Sequence, residues 1–359
     1  MIRDALIQVI NGQDLSEREM EKTMKDVFDG KVSPAQVGAF VTALRFKEES
    51  VGEIAGAARA LEARVKQIHL GRNLLDLARD DINVENETVL ATSDVHKTGT
   101  RTFNISTATV FVLAGAGMNV MRHGNRSASM YFGAADVLMR LGIQLDLSVP
   151  DVERCIRETG MGFLFTAITR GPMKHVAPIR EEIGIRTIFN LVGPLVNPAG
   201  AASRLLGVYR PALTEKIAHV LDRLGAQKAL VVCGEGTRDE VSICGPTHIS
   251  RLENGQVAST VVTPEQFGFQ TVDAEAIVGG DAGENAEIIK NILSGDRGPR
   301  RDVVVLNAAV ALEAAGRASS MAEGIDRAEE AIDSGSAREK LMALVDFTAG
   351  RAAFVRKDL

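Results

Sequence analysis

The chain has 359 residues, 45% of them hydrophobic and 25% charged, which is the composition of a folded globular protein and excludes disordered and low-complexity classes. Its 41 basic and 47 acidic residues leave a formal charge of −6, which argues against a protein built to coat nucleic acid, because that task needs a cationic surface to displace counterions. No run approaches the ~20 uncharged apolar residues of a bilayer-spanning helix, and the first twenty residues carry Asp4, Asp14, Glu17 and Glu19 in place of a signal-peptide core, so no membrane association is expected.

The first seventy residues read as helices. Ser16 with Glu19, Ser33 with Gln36 and Ser50 with Glu53 form three successive capping boxes, in which the serine accepts from a backbone N–H and the Glu or Gln three residues on returns a bond. Pro34 sits where its missing N–H costs nothing. A helix is expected after each box and another before Gly12. The stretch 37–44, rich in small and apolar residues, is expected to pack closely against a partner. A bundle this small gains stability by docking on the rest of the chain or on a second copy.

Beyond about residue 75, short β-rich runs at 88–93, 118–122, 186–189, 229–233 and 241–244 alternate with helical patterns such as 107–116 and 214–224. That alternation predicts an α/β domain with a central, mostly parallel sheet. A hairpin is expected over 241–252, turning at Gly245-Pro246. The run 302–312, followed by three helical segments, closes the domain. The expected organisation is a small N-terminal helical bundle over 1–70 plus a large α/β domain over 75–359, with a segment near 160–185 packing with the bundle.

Three places concentrate polar chemistry. Thr102, Asn104, Ser106 and Thr107 lead into an apolar helix, where hydroxyls and free backbone N–H groups suit a phosphate; a plain N-cap is the competing reading. Arg122, His123, Gly124, Asn125 and Arg126 follow a predicted strand, at the sheet edge where α/β folds bind ligands, and arginine forks match phosphate or carboxylate. A solvated polar loop is the alternative there. The pair Asp239-Glu240 stands before a β run and suits a hard cation such as magnesium, although acidic pairs are also common on turns. Arg180 and Arg186 are further candidate anion contacts, and surface ion pairing explains either equally well. Cys155, Cys233 and Cys244 leave one thiol unpaired in any disulfide scheme and lack metal-ligand spacing, so a reduced, cytoplasmic protein is expected. The absence of Trp and the presence of only two Tyr count against an aromatic platform for single strands.

Taken in order, these pieces resemble the anthranilate phosphoribosyltransferase family, whose fold is shared with pyrimidine nucleoside phosphorylases. The resemblance spans nearly the whole chain: TFNIST at 102–107, RHGNRS at 122–127, GFLF at 162–165, MKHVAPIREEIGIRTIFNLVGPLVNP at 173–198, LLGVY at 205–209, GEGTRDEVSICGPT at 234–247, GGDAGENA from 279 and GPRRDVVVLNAA ending at 309. It implies transfer of a 5-phosphoribosyl group from phosphoribosyl pyrophosphate to anthranilate in tryptophan biosynthesis, with Mg2+, in a homodimer joined through the helical domain. The implied substrate-binding set is Thr102, Asn104, Ser106, Thr107, Arg122, His123, Gly124, Asn125, Arg126 and Arg180. Within it, Asn125 and Arg180 face the acceptor, and the family more usually carries Lys at position 122. The implied magnesium ligands are Ser106, Asp239 and Glu240. No catalytic nucleophile is implied, because displacing pyrophosphate from the ribose C1 rests on positioning and electrostatics.

The sequence departs from the family at two places around the substrates. The family's GTGGD loop is replaced by Asp94-Val95-His96-Lys97-Thr98, and Arg170-Gly171-Pro172-Met173 stands where His-Pro-Ala-Met is common. Two alternatives therefore stand beside the leading function: a paralogue on this fold with another acceptor or a weakened donor site, and a non-catalytic binding protein.

Overall fold

Serine-led capping boxes start three of the first four helices, α1 (Ile2–Ile10), α2 (Glu17–Phe28), α3 (Pro34–Lys47) and α4 (Val51–Glu62). The protein is described by a computed structural model over residues 2–65, 74–79, 102–123, 133–164, 170–198, 200–201 and 203–355. Ser16, Ser33 and Ser50 each accept from the N3 backbone N–H, and Glu19, Gln36 and Glu53 each return a bond, as the pattern predicts. Glu53 does more. Its buried carboxylate also accepts from Leu15 N–H at 3.0 Å and from Lys47 Nζ at 2.9 Å, tying the α1–α2 turn to the start of α4. The stretch 37–44 packs through α3 against α1 and α9, and a second close approach falls on α4: Ala55, Gly56, Ala57, Ala58 and Ala60 are buried, and a Cβ on Gly56 would meet the backbone of Glu17 and Glu21 in α2. On α3, Val37, Phe40, Val41 and Leu44 form an ordinary core face at helical spacing.

The α/β region runs β1 (Leu74–Arg79), α5 (Ile105–Gly115), β2 (Asn119–His123), α6 (Ala134–Arg140), α7 (Val149–Thr159), β3 (Met161–Leu164), α8 (Arg170–Met173), α9 (Ala177–Ile183), α10 (Ile188–Val192), β4 (Ser203–Gly207), α11 (Ala212–Arg223) and β5 (Lys228–Gly234). It closes with β6 (Thr247–Glu253), β7 (Gln256–Val262), α12 (Ala282–Leu293), α13 (Pro299–Ala314), α14 (Met321–Asp333) and α15 (Ser336–Val355). One sheet orders the strands β3-β2-β1-β4-β5-β6-β7. The first five are parallel, and β6 and β7 extend them antiparallel. The mostly parallel sheet expected from the alternation is thus present. Its strand order reverses direction between β1 and β4, and in open α/β sheets a ligand crevice lies beyond the carboxyl ends of such a pair.

Alternate residues divide the sheet's two faces. Val120, Leu205, Leu230 and Val232 join a core built with α5, α12, α13 and α14. Met121, Leu206, Val231 and Cys233 join a second core that runs through α10 and α11 into the bundle, including Phe40, Ile54 and Leu61. The helical segment therefore docks on the sheet's second face. Met173, Val176 and Ile179 belong to this second core, whereas 161–164 is a sheet strand.

Four sequence expectations need correction. Residues 186–189 are not a strand: Thr187 Oγ1 accepts from Phe189 N–H, Asn190 returns a bond to Thr187 N–H, and this box starts α10. Residues 241–244 are not a strand either, because side chains satisfy their backbone; Asn307 takes both Val241 groups and Thr247 Oγ1 accepts from Ser242 N–H. The hairpin turns at Asn254-Gly255, with φ of 51° and 78°, and not at Gly245-Pro246; an Asn-Gly pair at positive φ matches the strand twist. Two helices, not three, follow α13 among the described residues. The run 88–93 lies outside the described residues. No described helix is long and apolar enough to cross a membrane.

Candidate functional site

Helix α5 is buried along almost its whole length, and that sets the chemistry at its start. An apolar helix inside a core must expose its unsatisfied N-terminal groups somewhere, and here they open toward the carboxyl edge of the sheet. Asn104 holds the N-cap position but makes no side-chain capping bond, which removes the plain-cap reading. Ser106 N–H donates instead to Glu240 Oε1 at 3.1 Å, so a carboxylate from the far side of the sheet meets the positive end of the helix. Arg122 Nη2 donates to Ser106 Oγ at 3.2 Å. The hydroxyl of Thr107, fully buried, has no hydrogen-bond partner among the described residues. A buried polar group of this kind is costly unless something completes it.

Glu240 reaches α5 because the segment after β5 folds back on itself. Gly234 and Arg238 exchange backbone bonds, with Gly234 N–H donating at 2.6 Å and Arg238 N–H at 2.7 Å. Thr237 Oγ1 donates to the Glu240 carbonyl at 2.9 Å. Two strand-end glycines make room for this turn: a Cβ on Gly207 would run into the Asp239 carbonyl and lie 2.6 Å from its Cβ, and one on Gly234 would lie 2.5 Å from Thr237 Oγ1. Behind the turn, Asn307 on α13 accepts from Val241 N–H at 3.0 Å and donates to the Val241 carbonyl at 2.8 Å. Asp239 ends half-buried and Glu240 only 3% exposed.

Gly207→Ala is accordingly expected to displace the Asp239-Glu240 turn while β4 stays paired. A misplacement of about 1 Å costs on the order of a hundredfold in rate. The check is turnover alongside circular dichroism: a hundredfold loss with unchanged helical content is the expected result, and unchanged turnover contradicts the placement.

The predicted residues are therefore brought together unequally. Ser106, Arg122 and Glu240 meet directly, with Asp239 and Thr107 beside them. Asn104 joins through a residue the sequence reading passed over: Asn285 Nδ2 donates to Asn104 Oδ1 at 3.0 Å. Thr102 pairs with Val278 as an isolated bridge just ahead. His123 closes β2 opposite Leu164, its backbone only being described. Gly124, Asn125 and Arg126, like the segment 94–98, lie outside the described residues. Arg180 stands on another element, α9, half-exposed. The Arg186 guanidinium lies 4.3 Å from the Tyr209 ring centroid, a cation–π contact at the end of β4. Neither Asn285 nor Asn307 carried a local sequence signal: each is an amide on a helix whose role depends on what lies across the interior.

The oxygens that meet here, the Ser106 hydroxyl and the Glu240 carboxylate, are hard, and Asp239 adjoins Glu240 in the chain on the same turn. Among the described residues no group of three or more His, Cys, Asp or Glu forms a protein cage for a metal. That set fits magnesium, which takes one or two carboxylates and completes its shell with water and phosphate oxygens. Burial pushes the Cys155 and Cys233 thiols up to about 11 and the Cys244 thiol upward, away from the lowered range of reactive thiolates.

Comparison with known proteins gives a consistent picture. The helical bundle domain of the glycosyl transferase family matches residues 3–64, and its a/b domain matches residues 91–338. An anthranilate phosphoribosyltransferase of Trichlorobacter lovleyi is 47% identical over 97% of this chain and all of the relative. A crystal structure of the Thermus thermophilus anthranilate phosphoribosyltransferase superposes with a TM-score of 0.85 at 36% identity, over 96% of this chain and 99% of that one. The Saccharomyces cerevisiae enzyme in complex with phosphoribosyl pyrophosphate and Mg, at 24% identity, shares the fold with a TM-score of 0.83 over 97% of this chain and 98% of that one.

Proposed function

The chain belongs to the glycosyl transferase family whose helical bundle and a/b domains it matches in order, and from that premise we propose that it transfers the 5-phosphoribosyl group of phosphoribosyl pyrophosphate to anthranilate, a step of tryptophan biosynthesis. The observation that carries the reading is the meeting of Ser106, Arg122 and Glu240 at the start of α5. It unites an anion site and an acidic pair, as a magnesium-bound pyrophosphate requires.

In this reaction the bond from ribose C1 to pyrophosphate breaks, a bond from the amine nitrogen to C1 forms, and the amine gives up a proton. The leaving group carries most of the developing negative charge, so cations and N–H or O–H donors aimed at it do the work. We assign that task to Asn104, Ser106, Thr107, Arg122 and the Gly124–Arg126 loop, with Thr102 and His123 flanking them. Arg180 and Asn125 are assigned to the acceptor, the guanidinium facing its carboxylate. Ser106, Asp239 and Glu240 would hold Mg2+, which supplies charge neutralisation to the pyrophosphate when bound. An aromatic amine is unprotonated near neutral pH, so no strong base is needed. Titration calorimetry tests the reading: phosphoribosyl pyrophosphate is expected to bind only with magnesium present, and binding that ignores the metal would contradict it.

We also divide the chain into a bundle over 1–70 and an α/β domain over 75–359, and assign the bundle as the contact surface of a homodimer. The bundle leaves Ile7 60%, Ile10 67% and Phe46 94% exposed, on α1 and α3, two helices that pack together. Large apolar side chains at that exposure are suited to a second copy. Sedimentation at micromolar concentration is expected to give twice the chain mass; a clean monomer removes the assignment.

A further inference from the structure

We infer that Asn285 is a positioning residue that fixes which end of the Asn104 side-chain amide faces the donor. This rests on the placement of Asn104 at the donor site. An amide carries a donor at one end and an acceptor at the other, and which end points where is decided by its partners. Here a backbone group decides it. Gly280 N–H can only donate, and it donates to Asn285 Oδ1 at 2.8 Å. Asn285 must then turn Nδ2 the other way, where it donates to Asn104 Oδ1 at 3.0 Å. The Asn104 oxygen is thereby committed to Asn285, and its NH2 group is the end turned away from it.

The relay is built on rigid parts. Asn285 is buried on the first turns of α12, whose start is fixed by the Asp281–Glu284 capping box. A Cβ on Gly279 would lie 2.5 Å from Asn285 Oδ1 and 2.7 Å from the Phe103 Cα, so the GGD turn, Asn285 and the residue before Asn104 are packed as one unit. Phe103 N–H donates to the Ile277 carbonyl at 3.1 Å, holding the two segments side by side. The chemical consequence is a preference: the end of Asn104 turned away from Asn285 donates and does not accept, so the group it meets must accept, as a phosphate or pyrophosphate oxygen does, and cannot be a group that only donates, such as an ammonium.

The test is a set of variants assayed with magnesium and both substrates. In Asn285→Asp the carboxylate still accepts from Gly280 N–H but offers Asn104 an oxygen, so the Asn104 amide turns over and presents its own oxygen to the donor. The KM for phosphoribosyl pyrophosphate is expected to rise at least tenfold, with the KM for anthranilate unchanged. If Asn285 acts through Asn104, adding Asn285→Asp to Asn104→Ala raises the donor KM no further. Should the Asn285 variant not fold, Asn104→Asp reads the same point: it keeps the acceptor for Asn285, replaces the NH2 by oxygen, and is expected to bind donor more weakly than Asn104→Ala. An unchanged donor KM in Asn285→Asp, equal effects on both substrates, full additivity, or an Asn104→Asp variant that binds donor as well as Asn104→Ala would overturn the inference. Failure of the unaltered protein to bind phosphoribosyl pyrophosphate would instead sink the donor-site reading on which it rests.

Discussion

With Asp239→Asn and Glu240→Gln combined, binding of phosphoribosyl pyrophosphate is expected to lose its dependence on magnesium and to weaken by at least a hundredfold. The two changes are nearly isosteric, so the turn itself survives. The bond from Thr237 Oγ1 goes to the Glu240 backbone carbonyl, which neither change touches, and the new side-chain amide keeps an oxygen to accept from Ser106 N–H. What disappears is two negative charges beside a hydroxyl. Charge-assisted bonds are worth about 1.5–3 kcal/mol each, so one lost contact weakens binding by roughly tenfold to a hundredfold and the loss of two exceeds about a hundredfold. Circular dichroism and thermal unfolding are expected to be little changed. If donor affinity and its magnesium dependence survive both substitutions, the metal assignment falls.

The second large effect concerns residues 94–98, where this sequence departs from its family and which lie outside the described residues. Glycines at such a loop allow close backbone approach to phosphate and positive φ, and Val95 is poor at both. Asp94 adds a negative charge, which His96 and Lys97 counter. Loss of one or two backbone contacts to phosphate weakens donor binding by roughly tenfold to over a hundredfold per bond. Any part recovered through the Lys97 charge is salt-sensitive, because exposed charges are screened over about 10 Å at 0.1 M salt. Rebuilding 94–98 as Gly-Thr-Gly-Gly-Asp is therefore expected to raise transfer to anthranilate. A flat response together with turnover of a different amine would favour a paralogue. Normal transfer by the unaltered chain would show that the side chains of this loop do what backbone does elsewhere.

Much of the fold was legible where a local pattern and a local cause coincide. The capping boxes at Ser16, Ser33 and Ser50 were readable because both partners lie within four residues. Strands β2 and β5 were readable as β-branched or apolar runs closed by Gly or polar residues. Strands β1 and β3 were not: LLDLAR and MGFL are short, carry few β-branched residues, and owe their form to parallel neighbours distant in sequence. Residues 241–244 show the reverse error. Their β propensity is real, but Asn307, 66 residues away, takes the Val241 backbone groups that a strand partner would have used. The hairpin turn differs from both: Asn254-Gly255 is a local signal at positive φ, legible in the sequence, and the reading placed the turn at Gly245-Pro246 instead.

The candidate site divides along the same line. Residue types announced the acidic pair, the RHGN segment and the polar start of α5, because each is an unusual local concentration of charge or hydroxyl. Their convergence was carried by the resemblance. What ties Glu240 to Ser106 is the reversal of the chain after β5 and the room left by Gly207 and Gly234, neither of which has a local signature. Asn285 and Asn307 were invisible for a different reason: a single amide has no pattern, and its role depends on what lies across the interior.

Turnover by the purified, unaltered chain tests the central claim most directly. Incubated with phosphoribosyl pyrophosphate, anthranilate and magnesium, it is expected to release pyrophosphate in one-to-one proportion to the anthranilate consumed, and to release none when either anthranilate or the metal is left out. Pyrophosphate release that is independent of anthranilate, or no consumption of anthranilate while the donor binds with magnesium, would contradict the account.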